Sequence, residues 1–198
     1  MLTVVFDLGG VLASETTHVA DAAARLGVAP EDLSGAYWQH RLSYDQGASD
    51  LEYWNAVAGV VGVGVDAALA EELGRHDARL WGQLRPAAER LLADVSVAGH
   101  PVWLLTSAPV AMATAIDSAP WRHHIAGRVV SGELGVAKPD PTIYERVEEV
   151  TGAHGADLAF VDDKPQNLEV PAARGWRTRL WIDDADTRDW LVELDVLR

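Results

Sequence analysis

The sequence predicts an α/β fold: a three-layer, Rossmann-like, doubly wound parallel sheet with an α-helical cap inserted after its first strand. Three observations lead there. Short runs that are apolar throughout alternate with helical patterns over most of the chain, as in βαβ units. Proline and glycine mark where those helices begin and end. The interval from about Ser14 to Leu84 breaks the alternation, because its patterns are almost all helical.

The first run, Thr3 to Leu8, stops at Gly9-Gly10, and its lack of polar alternation suits a strand covered on both faces. Similar runs follow at Val102–Leu105, Val129–Val130, Leu158–Val161 and Thr178–Ile182, with helical patterns at Ala87–Val97, Val110–Ser118, Thr142–Val150 and Gln166–Ala173. Asp140-Pro141 reads as an N-cap with proline at the first helical position, and Ala108-Pro109 and Lys164-Pro165 read the same way. Gly99, Gly152 and Gly175 supply left-handed helix ends. Inside the helical interval the patterns are Thr17–Leu26, Pro30–Tyr44, Ser49–Val57 and Asp66–Trp81. The spaced glycines of Gly59–Val65 follow no strand, so they read as a connection between helices and not as a phosphate cradle. The resulting division is a core of 1–13 and 85–198 and a cap of 14–84.

Composition narrows the function. With no cysteine there are no disulfides, thiolate metal sites or cysteine nucleophile. Sixteen Lys and Arg against 30 Asp and Glu give a formal charge of −14, a field that repels nucleic acid and anionic lipid. The same field repels a phosphorylated substrate unless a local cation inverts it. Met1–Ala13 has no basic leader and runs into acidic and glycine residues, so a cytoplasmic enzyme, monomer or homodimer, is expected. Eight tryptophans point to aromatic packing in the core, with some free to line a pocket or a contact.

The chemistry-bearing residues sit in four segments at or near the ends of predicted parallel strands: Phe6 to Val11, Leu105-Thr106-Ser107, Val136 to Pro141 and Phe160 to Lys164. The carboxyl edge of such a sheet is where ligands bind, so these segments are expected to converge. Taken singly, Asp7 reads as a strand terminator, Thr106 as a hydroxyl bonding its own backbone, Lys138 as a surface lysine and Asp162-Asp163 as a helix cap. Jointly, carboxylates at adjacent strand ends repel by several kcal/mol at an effective dielectric of about 20 unless a cation lies among them. Hard oxygen ligands with open positions suit Mg²⁺.

The order of these segments resembles the four motifs of the haloacid-dehalogenase superfamily, in the branch with a helical cap after the first motif. GVAKPDPTIYERV (Gly135–Val147) and FVDDKPQNLEVPAARGW (Phe160–Trp176) carry the resemblance most specifically. It implies a Mg²⁺-dependent hydrolase of a small phosphorylated metabolite, with Asp7 as the nucleophile that becomes an aspartyl-phosphate. Asp7, the Gly9 carbonyl and Asp163 would ligate the ion, and Asp162 would hold one of its waters. Thr106, the Ser107 amide and amides around Gly9-Gly10 would hold phosphoryl oxygens, and Lys138 would neutralise charge. The cap would close over the site and select the substrate.

The resemblance is incomplete at Gly9, where phosphatases of the superfamily usually carry an aspartate that serves as general acid and base. Glu15, His18, His40 and Arg41 are the candidate replacements, although Glu15 reads as a solvated flank and His40 and Arg41 as solvent-facing cap residues. Tyr37, Trp38, Arg41, Tyr44 and Trp54 are pocket candidates, with packing inside the cap as the alternative reading of the aromatics. His123-His124 reads as a surface turn and not a metal pair. Two rival functions stay open: a protein that keeps the fold and metal site but not turnover, and a metal-free hydrolase of carbon–halogen bonds. The second is disfavoured by the paired carboxylates at Asp162-Asp163, which are costly beside Asp7 without a metal.

Overall fold

The computed structural model describes residues 1–13 and 18–198. Five parallel strands, β1 (Thr3–Phe6), β2 (Val102–Thr106), β3 (Gly127–Val130), β4 (Leu158–Asp162) and β5 (Arg177–Leu180), form one sheet in the order β3-β2-β1-β4-β5. The order reverses on either side of β1, which makes the ends of β1, β2 and β4 the place for a ligand. Register brings them level: Phe6 pairs with Leu104 on one side and Val161 on the other.

Side chains alternate between two buried layers. Val4 and Phe6, Val102 and Leu104, and Ala159 and Val161 join one cluster, while Val5, Leu105, Leu158 and Phe160 join the other. Five helices follow β1: α1 (His18–Leu26), α2 (Pro30–Gln39), α3 (Arg41–Asp45), α4 (Asp50–Gly59) and α5 (Ala67–Trp81). They enclose a cluster of their own that includes Leu33, Tyr37, Tyr44, Tyr53, Trp54, Val57 and Leu73. An antiparallel bridge pairs Ala13 with Leu84, and Arg85 N–H donates to Leu12 O at 3.0 Å, so the chain leaves and re-enters the sheet layer at one point.

The remaining helices flank the sheet. The cluster of Val4 and Phe6 is covered by α6 (Pro86–Val97), α7 (Val110–Asp117) and the C-terminal helix; the other is covered by the helices Pro141–Thr151 and Gln166–Ala173. In chain order these later elements are α8 (Ser131–Leu134), α9 (Pro141–Thr151), α10 (Gln166–Ala173) and α11 (Asp184–Glu193). The left-handed ends expected at Gly99, Gly152 and Gly175 are present, with φ of 89°, 66° and 83°. Asp140 caps α9 by accepting from Thr142 N–H at 2.8 Å.

Several local expectations are corrected. The first strand ends at Phe6, because Leu8 O turns back to accept from the Leu12 and Ala13 amides at 2.9 and 2.8 Å. The single helix expected over Pro30–Tyr44 is broken at His40, which with φ of −96° and ψ of −1° ends α2 and begins α3. At Ala108-Pro109 and Lys164-Pro165 the helix begins one residue after the proline. The last strand starts at Arg177 and stops at Leu180. No helix among the described residues is long and apolar enough to cross a membrane.

One polar contact ties α9 to β5. The Glu148 carboxylate accepts from Trp176 Nε1 at 2.8 Å and from Arg174 at 2.6 Å. The Arg174 hydrogen bond, the Trp176 hydrogen bond and the Arg174 charge outweigh burial and hold its pKa at about 2, against an ordinary value near 4.5. A depressed acid stabilises the fold above its unfolded value and loses that contribution as pH falls toward its folded one. Glu148→Ala is therefore expected to cost about 1–3 kcal/mol at neutral pH. In urea titrations, its difference from the parent should shrink as pH falls from 4.5 through about 2.

Candidate active site

The sheet topology brings the four segments together. Asp7 follows β1 and is fixed by its own amide, which donates to Val161 O at 2.9 Å. Asp162 ends β4 and is fully buried. Lys138, from the loop between α8 and α9, reaches between them: Nζ lies 2.9 Å from Asp7 Oδ1 and 2.6 Å from Asp162 Oδ2, and donates to Leu105 O at 3.1 Å. Asp162 Oδ1 accepts from Lys164 N–H and Asn167 Nδ2, both at 2.9 Å. Thus Asp162 anchors the lysine with one oxygen and shapes the loop after β4 with the other.

Asp7, Asp162 and Asp163 each offer an oxygen within 4.8 Å of the others. Burial, reinforced by Asp162 and Asp163 and opposed by Lys138, pushes the Asp7 pKa up to about 7. Burial opposes the Lys138 charge, but Asp7 and Asp162 outweigh it, and that pKa is raised too. Asp163 is raised by burial and by Asp162, against Lys164 and Lys138. Its Oδ1 is buried and has no hydrogen-bond partner among the described residues. A buried carboxylate oxygen without a donor, beside two further carboxylates, fits a hard divalent cation.

Gly9 and Gly10 differ in use. Gly10 has φ of 79°, and a Cβ there would lie 2.6 Å from Asp163 Oδ2, so glycine is required for the close approach. Its amide donates to Ala13 O at 3.0 Å, which corrects the expectation that it points at a phosphate: the turn itself consumes it. A Cβ on Gly9 would sit 3.1 Å from Trp81 Cζ3, so the indole occupies the space into which a side chain at position 9 would extend.

Above Asp7 is a cavity of about 310 Å³, lined by Asp7, Gly9, Thr106, Ser107 and Lys138 from the core and Trp38, Arg41, Asp45 and Trp81 from the cap, with others. Gly10, Asp162 and Asp163 are not among the lining residues. Lys138 N–H donates to Ser107 Oγ at 3.2 Å, which joins two of the predicted segments. Of the cap candidates, Trp38 and Arg41 reach the cavity, whereas Tyr37, Tyr44 and Trp54 are buried in the cap's cluster.

Arg41 corrects the solvent-facing expectation. It is buried, donating through Nε to Asp45 Oδ1 at 2.8 Å and through Nη1 to Tyr37 Oη and Asp77 Oδ2 at 2.8 and 3.0 Å. The readable signal was spacing: Tyr37, Arg41 and Tyr44 stand at i, i+4 and i+7, one helical face. His40 does not line the cavity; His18 is buried and stacks on Trp81 at 3.9 Å, and Glu15 lies outside the described residues. His123 and His124 lie on the short turn Pro120–His124, with His123 exposed, in keeping with a surface turn. Asp45 and Ser131 were missed. Ser131 Oγ donates to Asp45 O and accepts from Ala108 N–H at 2.8 Å, tying the cap to the ends of β2 and β3.

A model of haloacid dehalogenase-like hydrolases matches residues 1–175. The chain belongs to that family. It is 28% identical over 199 residues to a phosphatase of Mycobacterium tuberculosis, covering 96% of this chain and 91% of the relative. Among solved structures, the L-2-haloacid dehalogenase of Xanthobacter autotrophicus aligns with a TM-score of 0.74 at 20% identity, over 100% of this chain and 85% of that one. A haloacid dehalogenase family enzyme of Bacteroides thetaiotaomicron, in complex with magnesium and inorganic phosphate, aligns at 0.65 and 18% identity, over 91% of this chain and 93% of that one. At these identities both structures speak to the fold.

The ammonium between two buried carboxylates sets a stability expectation. Removing it in Lys138→Met leaves Asp162 buried and uncompensated, which costs about 3–5 kcal/mol. Urea unfolding of the variant against the parent at neutral pH, without divalent ions, measures this directly.

Proposed function

We propose that this haloacid dehalogenase-like hydrolase cleaves a small phosphomonoester, with Asp7 as nucleophile and Mg²⁺ as cofactor. The observation that carries the reading is the carboxylate cluster of Asp7, Asp162 and Asp163, with the buried Asp163 Oδ1 lacking a donor. Metal-free attack on carbon has no need of it, and the cluster would burden such an enzyme. The phosphatase name of the mycobacterial relative agrees with this choice.

Asp7, the Gly9 carbonyl and Asp163 would hold the ion, with Asp162 behind them. When bound, Mg²⁺ supplies positive charge for the carboxylates and for a phosphoryl group. Asp7 Oδ1 is held by Leu8 N–H at 2.7 Å and by Lys138 at 2.9 Å, which orients the carboxylate and leaves Oδ2 free of protein donors among the described residues. Oδ2 attacks phosphorus as the bond to the leaving oxygen breaks, giving an aspartyl-phosphate. Thr106 and Ser107, at the end of β2, present hydroxyl and amide groups to the phosphoryl oxygens from the cavity wall. Lys138 balances the charge shared by nucleophile and phosphoryl group. Water attack on phosphorus then releases phosphate and restores Asp7. The cap residues Trp38, Arg41, Leu42 and Trp81 roof the cavity, keep bulk water out and limit the substrate to a small one.

Release of phosphate from a panel of phosphomonoesters, and of halide from 2-haloacids, is measured with Mg²⁺ and with a chelator. Magnesium-dependent phosphate release is expected, falling by at least about a thousandfold in Asp7→Asn. Halide release indifferent to chelator, or binding of beryllium fluoride without any turnover, would replace this reading by one of its rivals.

Stability separates the metal role from the chemistry. In chelator, Asp163→Asn is expected to unfold at higher urea than the parent, by about 1 kcal/mol, because it removes a half-buried negative charge from beside Asp162 and Asp7. Mg²⁺ at a hundred times its dissociation constant should stabilise the parent by about 2.7 kcal/mol and the variant hardly at all.

A further inference from the structure

Departure of an alkoxide needs a proton, and the water that later attacks phosphorus must lose one. Gly9 provides no side chain, and the Trp81 indole fills the space beside it, held by its N–H on Tyr37 Oη at 3.1 Å and by the His18 ring. The titratable side chains lining the cavity, among the described residues, are Asp7, Arg41, Asp45, Lys138 and Lys164. Asp7 is committed to phosphorus, Lys138 to two carboxylates, and Arg41 remains charged. Of the two that are left, Lys164 is an exposed ammonium on the loop after β4, and Asp45 is the one carboxyl, held in place by Arg41.

We propose that the carboxyl of Asp45, at the end of α3, is the proton donor to the leaving oxygen and then the base for the attacking water, an assignment that rests on the phosphomonoesterase reading above. Its position is fixed twice. Arg41 Nε holds Oδ1 at 2.8 Å, and the Ser131 hydroxyl holds its carbonyl to the core. Oδ2 makes no protein hydrogen bond among the described residues. The Arg41 guanidinium is shared with Asp77, which also accepts from Tyr37 Oη at 2.7 Å, so two carboxylates meet one cation and a proton on Asp45 neutralises the group.

The charged or titratable groups around it are Arg41 on its own helix, Asp77 on α5, Tyr53 on α4 and Lys164 on the loop after β4. Burial, assisted by Asp77 and opposed by Arg41 and Lys164, pushes the Asp45 pKa up to about 6. An arriving phosphate dianion raises it further by like-charge repulsion. In the first step the Asp45 O–H proton passes to the leaving oxygen while the P–O bond breaks and the Asp7 Oδ2–P bond forms. In the second, Asp45 takes a proton from water as its oxygen bonds to phosphorus and the bond to Asp7 breaks. The cycle returns both carboxyls to their starting states.

The test compares Mg²⁺-loaded parent, Asp45→Asn and Glu15→Gln on p-nitrophenyl phosphate, whose phenolate leaves without a proton, and on the alkyl phosphate the parent turns over best. For Asp45→Asn, kcat/KM on the alkyl ester is expected to fall by about 10²–10⁴-fold and on the aryl ester by less than about tenfold. Phosphoryl-Asp7 should also accumulate in acid-quenched samples read by mass spectrometry. The ratio of the two substrates within one preparation does not depend on how much of it is folded. Equal losses on both esters, no loss on either, or the leaving-group-dependent loss appearing in Glu15→Gln instead would overturn the assignment of Asp45. A parent that releases phosphate from no ester overturns the phosphomonoesterase reading itself.

Discussion

The ammonium of Lys138 is the constraint on which the sheet edge depends. Asp7 and Asp162 end neighbouring strands and are both buried, an arrangement that costs free energy until a cation lies between them. Lys138 supplies it from a loop on the far side of β2 and completes its own coordination with the Leu105 carbonyl. Asp162 then passes the constraint on, because its second oxygen organises Lys164 and Asn167 after β4. Asp7, its counter-charge and the loop carrying Asp163 are therefore set by one network, and none can shift without leaving a buried charge unpaired.

The helical insertion is bound to that edge by close approaches that tolerate little side chain. Gly9 meets the Trp81 ring, and a Cβ at Gly47 would lie 2.9 Å from Gly132 O. Near the second contact, Ser131 holds the Asp45 carbonyl to the amide of Ala108. The cap's polar interior, with Tyr37, Arg41 and Asp77 hydrogen-bonded to one another, continues to the cavity through Trp81 and Asp45. A residue deep in the cap is thus joined to the cavity wall by continuous packing and hydrogen bonds.

The sheet was legible because its strands are apolar on both faces, and that pattern survives without knowledge of partners. So was the meeting of Asp7, Thr106 and Asp163 at one edge, since parallel topology sends such strand ends there, whereas Lys138 reaches that edge from a loop. Single-residue reasoning fails where a side chain's surroundings come from elsewhere in the chain. Arg41 reads as solvated on composition alone, yet Asp77, thirty-six residues away, makes its burial tolerable. Asp45 belongs to no motif, and its position over the cavity follows from a break at His40 and a hydroxyl at Ser131. The Gly10 amide reads as a phosphate donor until the turn's own hydrogen bond to Ala13 is seen. The C-terminal helix α11, capped by Asp183 accepting from Asp186 N–H at 2.8 Å, carries a weak apolar pattern and escaped notice.

Charge gives the site its order of events. Within a molecule of formal charge −14, the phosphate dianion of the proposed reaction would enter a cavity whose cations are largely spoken for. Lys138 is shared by Asp7 and Asp162, and Arg41 by Asp45 and Asp77. That leaves Lys164 as the lining cation with no ion-pair partner among the described residues. One exposed ammonium is screened over about 8–10 Å at physiological salt and does little against such a field. A divalent ion among Asp7, Asp162 and Asp163 changes the balance at the point where phosphorus must approach. It also lowers the proton affinity of the nucleophile, which burial alone pushes up. On the proposed reading the ion would therefore precede the substrate, because the carboxylates of this acidic protein would accept an anion beside them only once they surround a cation.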